Sequence, residues 1–100
     1  MDKKFRTEKD TLGEFPVPAD AWYGIQTARA VDNFPISGRG PDRDFTIAQV
    51  RIKRAAAVAN REAGWLDAKL ADAILKATDA VMAGEHHAEF VVDRFQAGAG

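Results

Sequence analysis

The chain contains no cysteine and a single serine, Ser37, among its 100 residues. Without cysteine there are no disulfides, no thiolate metal ligands and no cysteine nucleophile. That composition fits a reducing compartment, and the cytoplasm is the expected location. Ser37 stands in a Gly/Pro loop with no histidine near it in sequence, so a Ser/His/Asp triad made inside this chain is not expected. An excess of one charge is lacking too. The 14 Lys+Arg against 15 Asp+Glu leave a net charge of −1 with no basic block, which argues against a nucleic-acid partner. No stretch approaches the roughly 18 consecutive apolar residues that a membrane helix needs. The opening residues, Met1 to Asp10, have no apolar h-region, so neither a membrane partner nor a signal peptide is expected.

What is present falls into two halves. The first 41 residues hold all four prolines (Pro16, Pro18, Pro35, Pro41) and half of the glycines, which predicts a mostly irregular segment. Phe15-Pro16-Val17-Pro18 reads as extended backbone, at most a short strand or edge hairpin. Ala28 to Asn33 can form a helical turn or two before Pro35 stops it, and Ile36 to Arg43 is a loop by composition. Beyond this point the apolar period becomes helical. With Asp42 or Asp44 as N-cap, the spacing Ala48, Ile52, Ala55, Ala59, Ala63 predicts a helix whose Ala-rich stripe admits a close neighbour, ending at Gly64. Asp67 as N-cap, Leu70, Ile74, Ala77 and Val81 as stripe, and Gly84 as stop predict a second helix. The short Gly64-Trp65-Leu66 link makes the two an antiparallel pair. The fold class is therefore mainly α, an irregular amino-terminal segment with a short hairpin followed by an antiparallel helix pair.

One hundred residues suit one domain at most. Two helices and an irregular preface bury little by themselves, while Trp22, Tyr23, Phe34, Phe45 and Trp65 need something to pack against. The domain is expected to be incomplete, with weak cooperativity of unfolding.

The most suggestive chemical feature is Gln96-Ala97-Gly98-Ala99-Gly100. Small residues let several backbone N–H groups converge on an anion such as a carboxylate, because no bulky side chain blocks the approach. His86-His87 is a poor metal motif, since adjacent imidazoles rarely face one ion, and a solvated loop is the plainer reading. Arg51, Lys53 and Arg54 read as solvated charges on a helix face, and Gln26, Thr27 and Arg29 as structural polar groups near a loop. No catalytic residue, metal ligand or cofactor is assigned within the chain.

Several runs are more specific. Arg6 to Glu14, then Val17-Pro18-Ala19-Asp20-Ala21-Trp22-Tyr23-Gly24-Ile25-Gln26-Thr27, then Asn33-Phe34-Pro35-Ile36-Ser37-Gly38, closely resemble the amino-terminal region of the aspartase and class II fumarase family. Lys53 to Asn60, Ala80 to Gly84 and Phe90 to Gly100 continue the resemblance in order, over essentially the whole chain. The resemblance implies the amino-terminal domain of an all-α lyase, residues 1–100, without the central helical bundle and carboxy-terminal domain. It also implies a cytoplasmic homotetramer acting on a small dicarboxylate, aspartate or fumarate, by anti elimination. A base removes a proton beside one carboxylate, and hydrogen-bond donors hold the charge that develops. The family's catalytic groups match nothing before Gly100, so the isolated chain is expected to be inactive. Gly98, Ala99 and Gly100 are the positions that carry over, as substrate-loop residues acting through backbone amides. Ala99 stands where fumarases usually carry a serine and aspartases an alanine, which points to ammonia elimination from aspartate. Ala97 matches neither group's usual residue. Fumarate hydration, or a noncatalytic interaction remnant, stays the alternative.

Overall fold

The computed structural model describes residues 3–97. Its elements are β1 (Phe5–Asp10), β2 (Gly13–Pro18), α1 (Ile25–Asn33), α2 (Arg43–Glu62) and α3 (Ala68–Met82), followed by a short 3-10 turn at His87–Glu89. They fall into two compact units, one made of the residues up to Pro41 with those from Ala88 onward, the other of Asp42–His87.

In the first unit β1 and β2 pair as the antiparallel hairpin, from Phe5 opposite Pro18 to Asp10 opposite Gly13. The turn closes where the Leu12 amide donates to Asp10 Oδ1 at 2.9 Å, and Gly13 takes φ +111°, a conformation that disfavours any side chain. Pro16 and Pro18 remove two donors, which a two-stranded sheet tolerates along its open edge. The alternation along β1 is inverted. Phe5, Thr7 and Lys9 are exposed, whereas Arg6, Glu8 and Asp10 are half-buried on the inner side. Charged groups survive there because each one is hydrogen-bonded.

The Arg6 guanidinium donates to Glu8 Oε2 at 2.7 Å and to the carbonyls of Pro18, Ala19, Ala21 and Tyr23 at 2.8–3.1 Å. It thus staples the bend after β2 from within. The other oxygen of Glu8 accepts the Ile25 amide at 3.0 Å, serving the first turn of α1 where Gly24 at the N-cap has no side chain to offer. The helix therefore starts at Ile25, three residues before the segment expected from composition. Asp10 holds the same helix further along, accepting from Arg29 Nε at 2.9 Å, Arg29 Nη2 at 3.0 Å and Gln26 Nε2 at 3.0 Å. Beneath this polar network lies a small core of Val17, Ile25 and Ala28, with Phe15, Ala21 and Tyr23 packed against it. Trp22 stays 75% exposed.

The second unit is the expected antiparallel pair. Asp67 accepts from the amides of Lys69 at 3.1 Å and Leu70 at 3.4 Å, and Gly64 and Gly84 stop the two helices at φ +81° and +107°. Asp42 occupies the N-cap of α2, but its carboxylate caps no first-turn amide; its carbonyl accepts the Thr46 amide at 3.0 Å instead. Asp44, in the first turn, lies where the helix dipole favours negative charge.

The face by which the helices meet differs from the expected one. The buried side chains are Thr46, Val50 and Ala57 of α2 and Ala71 and Thr78 of α3. The stripes read from periodicity are largely outside: Ala48, Ala55, Ala59 and Ala77 are exposed, as are Ile52 at 62%, Leu70 at 58% and Ile74 at 37%. In α2 the buried row lies on nearly the opposite side of the helix from the expected stripe, and in α3 the two rows are about 80° apart; periodicity does not say which row turns toward the partner. Each helix still buries one alanine, Ala57 in α2 and Ala71 in α3, but the Ala-rich stripe expected to meet the neighbour does not do so. Arg54–Asp79 at 2.8 Å and Arg61–Asp72 at 3.0 Å lie on one side of the seam. Counting around two antiparallel helices puts Phe45, Ile52, Leu70 and Ile74 on the opposite side. The hairpin thus has an ionic face and an apolar face. Trp65, in the link, is 86% exposed.

Candidate functional site

The residues from Ala88 onward join the first unit chiefly through Asp93. Its carboxylate is met by four donor groups. Oδ2 accepts the amides of Ser37 and Gly38, both at 2.9 Å, Oδ1 accepts the Phe95 amide at 2.9 Å, and the Ser37 hydroxyl reaches Oδ2 at 2.9 Å and Oδ1 at 3.0 Å. Gly38, at φ +72°, turns its amide into this cradle in a conformation suited to glycine. Asp93 is 8% exposed. The Phe95 amide, with those of Ser37 and Gly38 and the Ser37 hydroxyl, holds the carboxyl down to about 2 against the upward push of burial.

The neighbours of Asp93 extend the junction. The Arg94 amide donates to the Arg39 carbonyl at 2.9 Å, its side chain reaches the Gly40 carbonyl at 3.1 Å, and the Gln96 amide donates back to the Asp93 carbonyl at 3.0 Å. Residues 93–96 are therefore a turn nailed to residues 37–40. A cleft of about 240 Å³ lies beside it, lined in part by Val31, Phe34, Arg39 and Val91.

Gly98, Ala99 and Gly100, the expected substrate-loop residues, lie outside the described residues. The described chain leads up to them, Ala97 standing four residues past Asp93. Ser37, the lone serine, is a donor to Asp93. Gln26 and Arg29 grip Asp10, as structural polar groups should, and Arg29 also stacks over the Phe15 ring at 4.9 Å. Its guanidinium borders a larger cleft of about 420 Å³ with Leu12, Gln26 and Asn33, but Asp10 and the Gly13 carbonyl already take its charge. Arg54 pairs with Asp79. His87 Nε2 lies 3.0 Å from the Val81 carbonyl, and His86 adopts φ +63°. Arg6, Glu8 and Asp93 are the residues that sequence reasoning left without a role. Their partners lie up to 56 positions away and share no periodicity with them.

A family model described as Lyase matches residues 13–100, and the chain belongs to the aspartase and class II fumarase family. It is 54% identical over 100 residues to a class II fumarate hydratase of Halobacterium salinarum, covering all of this chain and 21% of that protein. It is also 44% identical over 98 residues to an aspartate ammonia-lyase of Bacillus subtilis, covering 98% of this chain and 21% of that one. Among solved structures, a fumarate lyase:delta crystallin from Brucella melitensis bound to cobalt superposes with a TM-score of 0.91 at 41% identity, covering 97% of this chain and 22% of that one. The chain spans about a fifth of the length of the curated relatives it matches.

Proposed function

We propose that the chain is the amino-terminal domain of a lyase that reversibly eliminates ammonia from L-aspartate to give fumarate, working as a homotetramer in the cytoplasm. The observation that carries the reading is the Gly98-Ala99-Gly100 segment, which follows the Asp93 turn by a few residues. Backbone amides of small residues suit a carboxylate of the substrate, and Ala99 offers no hydroxyl that would favour hydration chemistry. On this reading, the base and the proton donor of the elimination come from elsewhere in the assembled protein. The exposed apolar row of α2 and α3 suits a domain that is covered in a larger assembly. Fumarate hydration is the second reading, favoured by the 54% identity to a protein named fumarate hydratase.

The test is to express the reading frame to its own stop codon and assay both reactions. Equal release of ammonia and fumarate from aspartate, with no malate from fumarate, is expected. Malate without ammonia would move the assignment to the hydratase, and a stop after Gly100 with neither activity would leave a noncatalytic remnant.

A further inference from the structure

We propose that β1 is a pairing edge between copies of this chain: the strands of two copies meet antiparallel about Thr7, joining two hairpins into one four-stranded sheet. The two edges of the hairpin are not alike. In an antiparallel ladder the residue pairs alternate between those that exchange hydrogen bonds and those that turn their amides and carbonyls outward. Phe5 faces Pro18 and Thr7 faces Pro16, and a proline cannot exchange such bonds. The Ala19 amide, one pair beyond Pro18, donates to the Lys4 carbonyl at 2.9 Å, which fixes the same alternation. Phe5, Thr7 and Lys9 therefore turn their amides and carbonyls to the open side of β1, whereas the open side of β2 carries Glu14, Pro16 and Pro18 with a single donor among them. Proline guards against edge pairing, and here it guards one edge only. Among the described residues no other element bonds to the outward groups of β1, and α1 packs mainly over β2. The side chains of Phe5, Thr7 and Lys9 are exposed.

Charge selects the occupant. The inner row reads Lys4, Arg6, Glu8, Asp10, two basic residues and then two acidic ones. Paired with itself about Thr7, this row sets Lys4 opposite Asp10 and Arg6 opposite Glu8, and like charges nowhere. A slip of two residues either way sets Arg6 opposite Arg6 or Glu8 opposite Glu8. Arg6, Glu8 and Asp10 are already paired within their own unit, so the complementarity acts on register more than on strength. On the outer side Thr7 meets Thr7, a favourable pair, and Lys9 comes opposite the Phe5 ring, over which Lys3 stands at 6.0 Å in the single chain.

The test uses the product of the whole reading frame. In the paired sheet the two Thr7 Cα atoms stand about 5.5 Å apart, within reach of a disulfide, whereas the two copies of Phe5 are separated by about 14 Å along the strands. Under mild oxidation Thr7→Cys is expected to yield linked residue-7 peptides at about ten times the amount of linked residue-5 peptides from Phe5→Cys. A mixture of Phe5→Cys with Lys9→Cys is expected to link residue 5 to residue 9. These side chains are exposed, so the hairpin keeps its own contacts. In the unsubstituted protein, hydrogen exchange at the amides of Phe5, Thr7 and Lys9 is expected to be about tenfold slower than in an open chain. Equal yields at residues 5 and 7, or no link at residue 7, overturn the pairing. So do outward amides that exchange at the open-chain rate. Slow exchange without a residue-7 link shows that another segment or another protein covers the edge, and it overturns the second copy as the occupant.

Discussion

The first unit joins strands, a short helix and loops through Arg6, Asp10 and Asp93, whose partners lie up to 56 residues away, whereas the second joins two helices by small side chains in a seam and two exposed ion pairs. The contrast follows from composition. With four prolines and a core of only Val17, Ile25, Ala28 and their neighbours, the first unit has little periodic backbone bonding, and its carbonyls and amides are satisfied by charged side chains. The second unit satisfies its backbone internally, so its side chains need only pack. Long-range polar stapling is sensitive to pH and to single deletions; helix packing is sensitive to volume.

Acid should divide the two most sharply. Arg6 lowers the Glu8 carboxyl, Arg29 lowers that of Asp10, and the Phe95 and Ser37–Gly38 donors lower that of Asp93 to about 2. All three are depressed in the folded state. Their contribution is therefore fully present above the ordinary carboxyl values near 4, and is lost as the pH falls from about 5 toward about 2. Amide hydrogen exchange followed by NMR is expected to show β1, β2 and α1 losing protection over that range while the seam of α2 and α3 holds longer. Simultaneous loss, or earlier loss in α2, would contradict the division.

Next in size is Arg6→Ala. It strands the carbonyls of Pro18, Ala19, Ala21 and Tyr23 together with Glu8, and should lower the stability of the first unit by about 3 kcal/mol. Urea titration read at the amides of β2 checks this, and a loss below about 1 kcal/mol would mean that water replaces the guanidinium at little cost. The smallest effect is expected in the second unit. Ala71→Leu adds three carbons to a site with no exposed surface and should cost about 2 kcal/mol, read as a lower Tm of the helical circular dichroism. A neutral outcome would show a looser seam than the burial of Ala57 and Ala71 implies.

How much was legible in the sequence follows the same division. Gly64, Asp67 and Gly84 mark the helix ends correctly because a cap is a local event, decided within three or four residues. The orientation of the pair was less legible. Ala48, Ile52, Ala55 and Ala59 are a true helical row, yet the row of Thr46, Val50 and Ala57 on nearly the opposite side is the buried one, since the choice between rows depends on the partner. In the first unit a hairpin was readable from Phe15 to Pro18, but its stabilising residues were not. Arg6, Glu8 and Asp10 alternate as an exposed polar row would, and only the positions of the Tyr23 carbonyl, the Ile25 amide and Arg29 turn that row inward. Ser37 was noticed as a nucleophile that lacks a histidine; its role as a donor to Asp93 depends on a contact across 56 residues.

Both tryptophans are left in water, one in each unit, with Trp22 75% and Trp65 86% exposed. The optical consequence runs against custom. Indoles that already emit from solvent have almost no red shift left to give, so intrinsic fluorescence will be nearly silent when this chain unfolds. The same property makes the pair a sensor of company: a blue shift of their emission marks the moment another surface closes over the link after α2 or over the bend after β2.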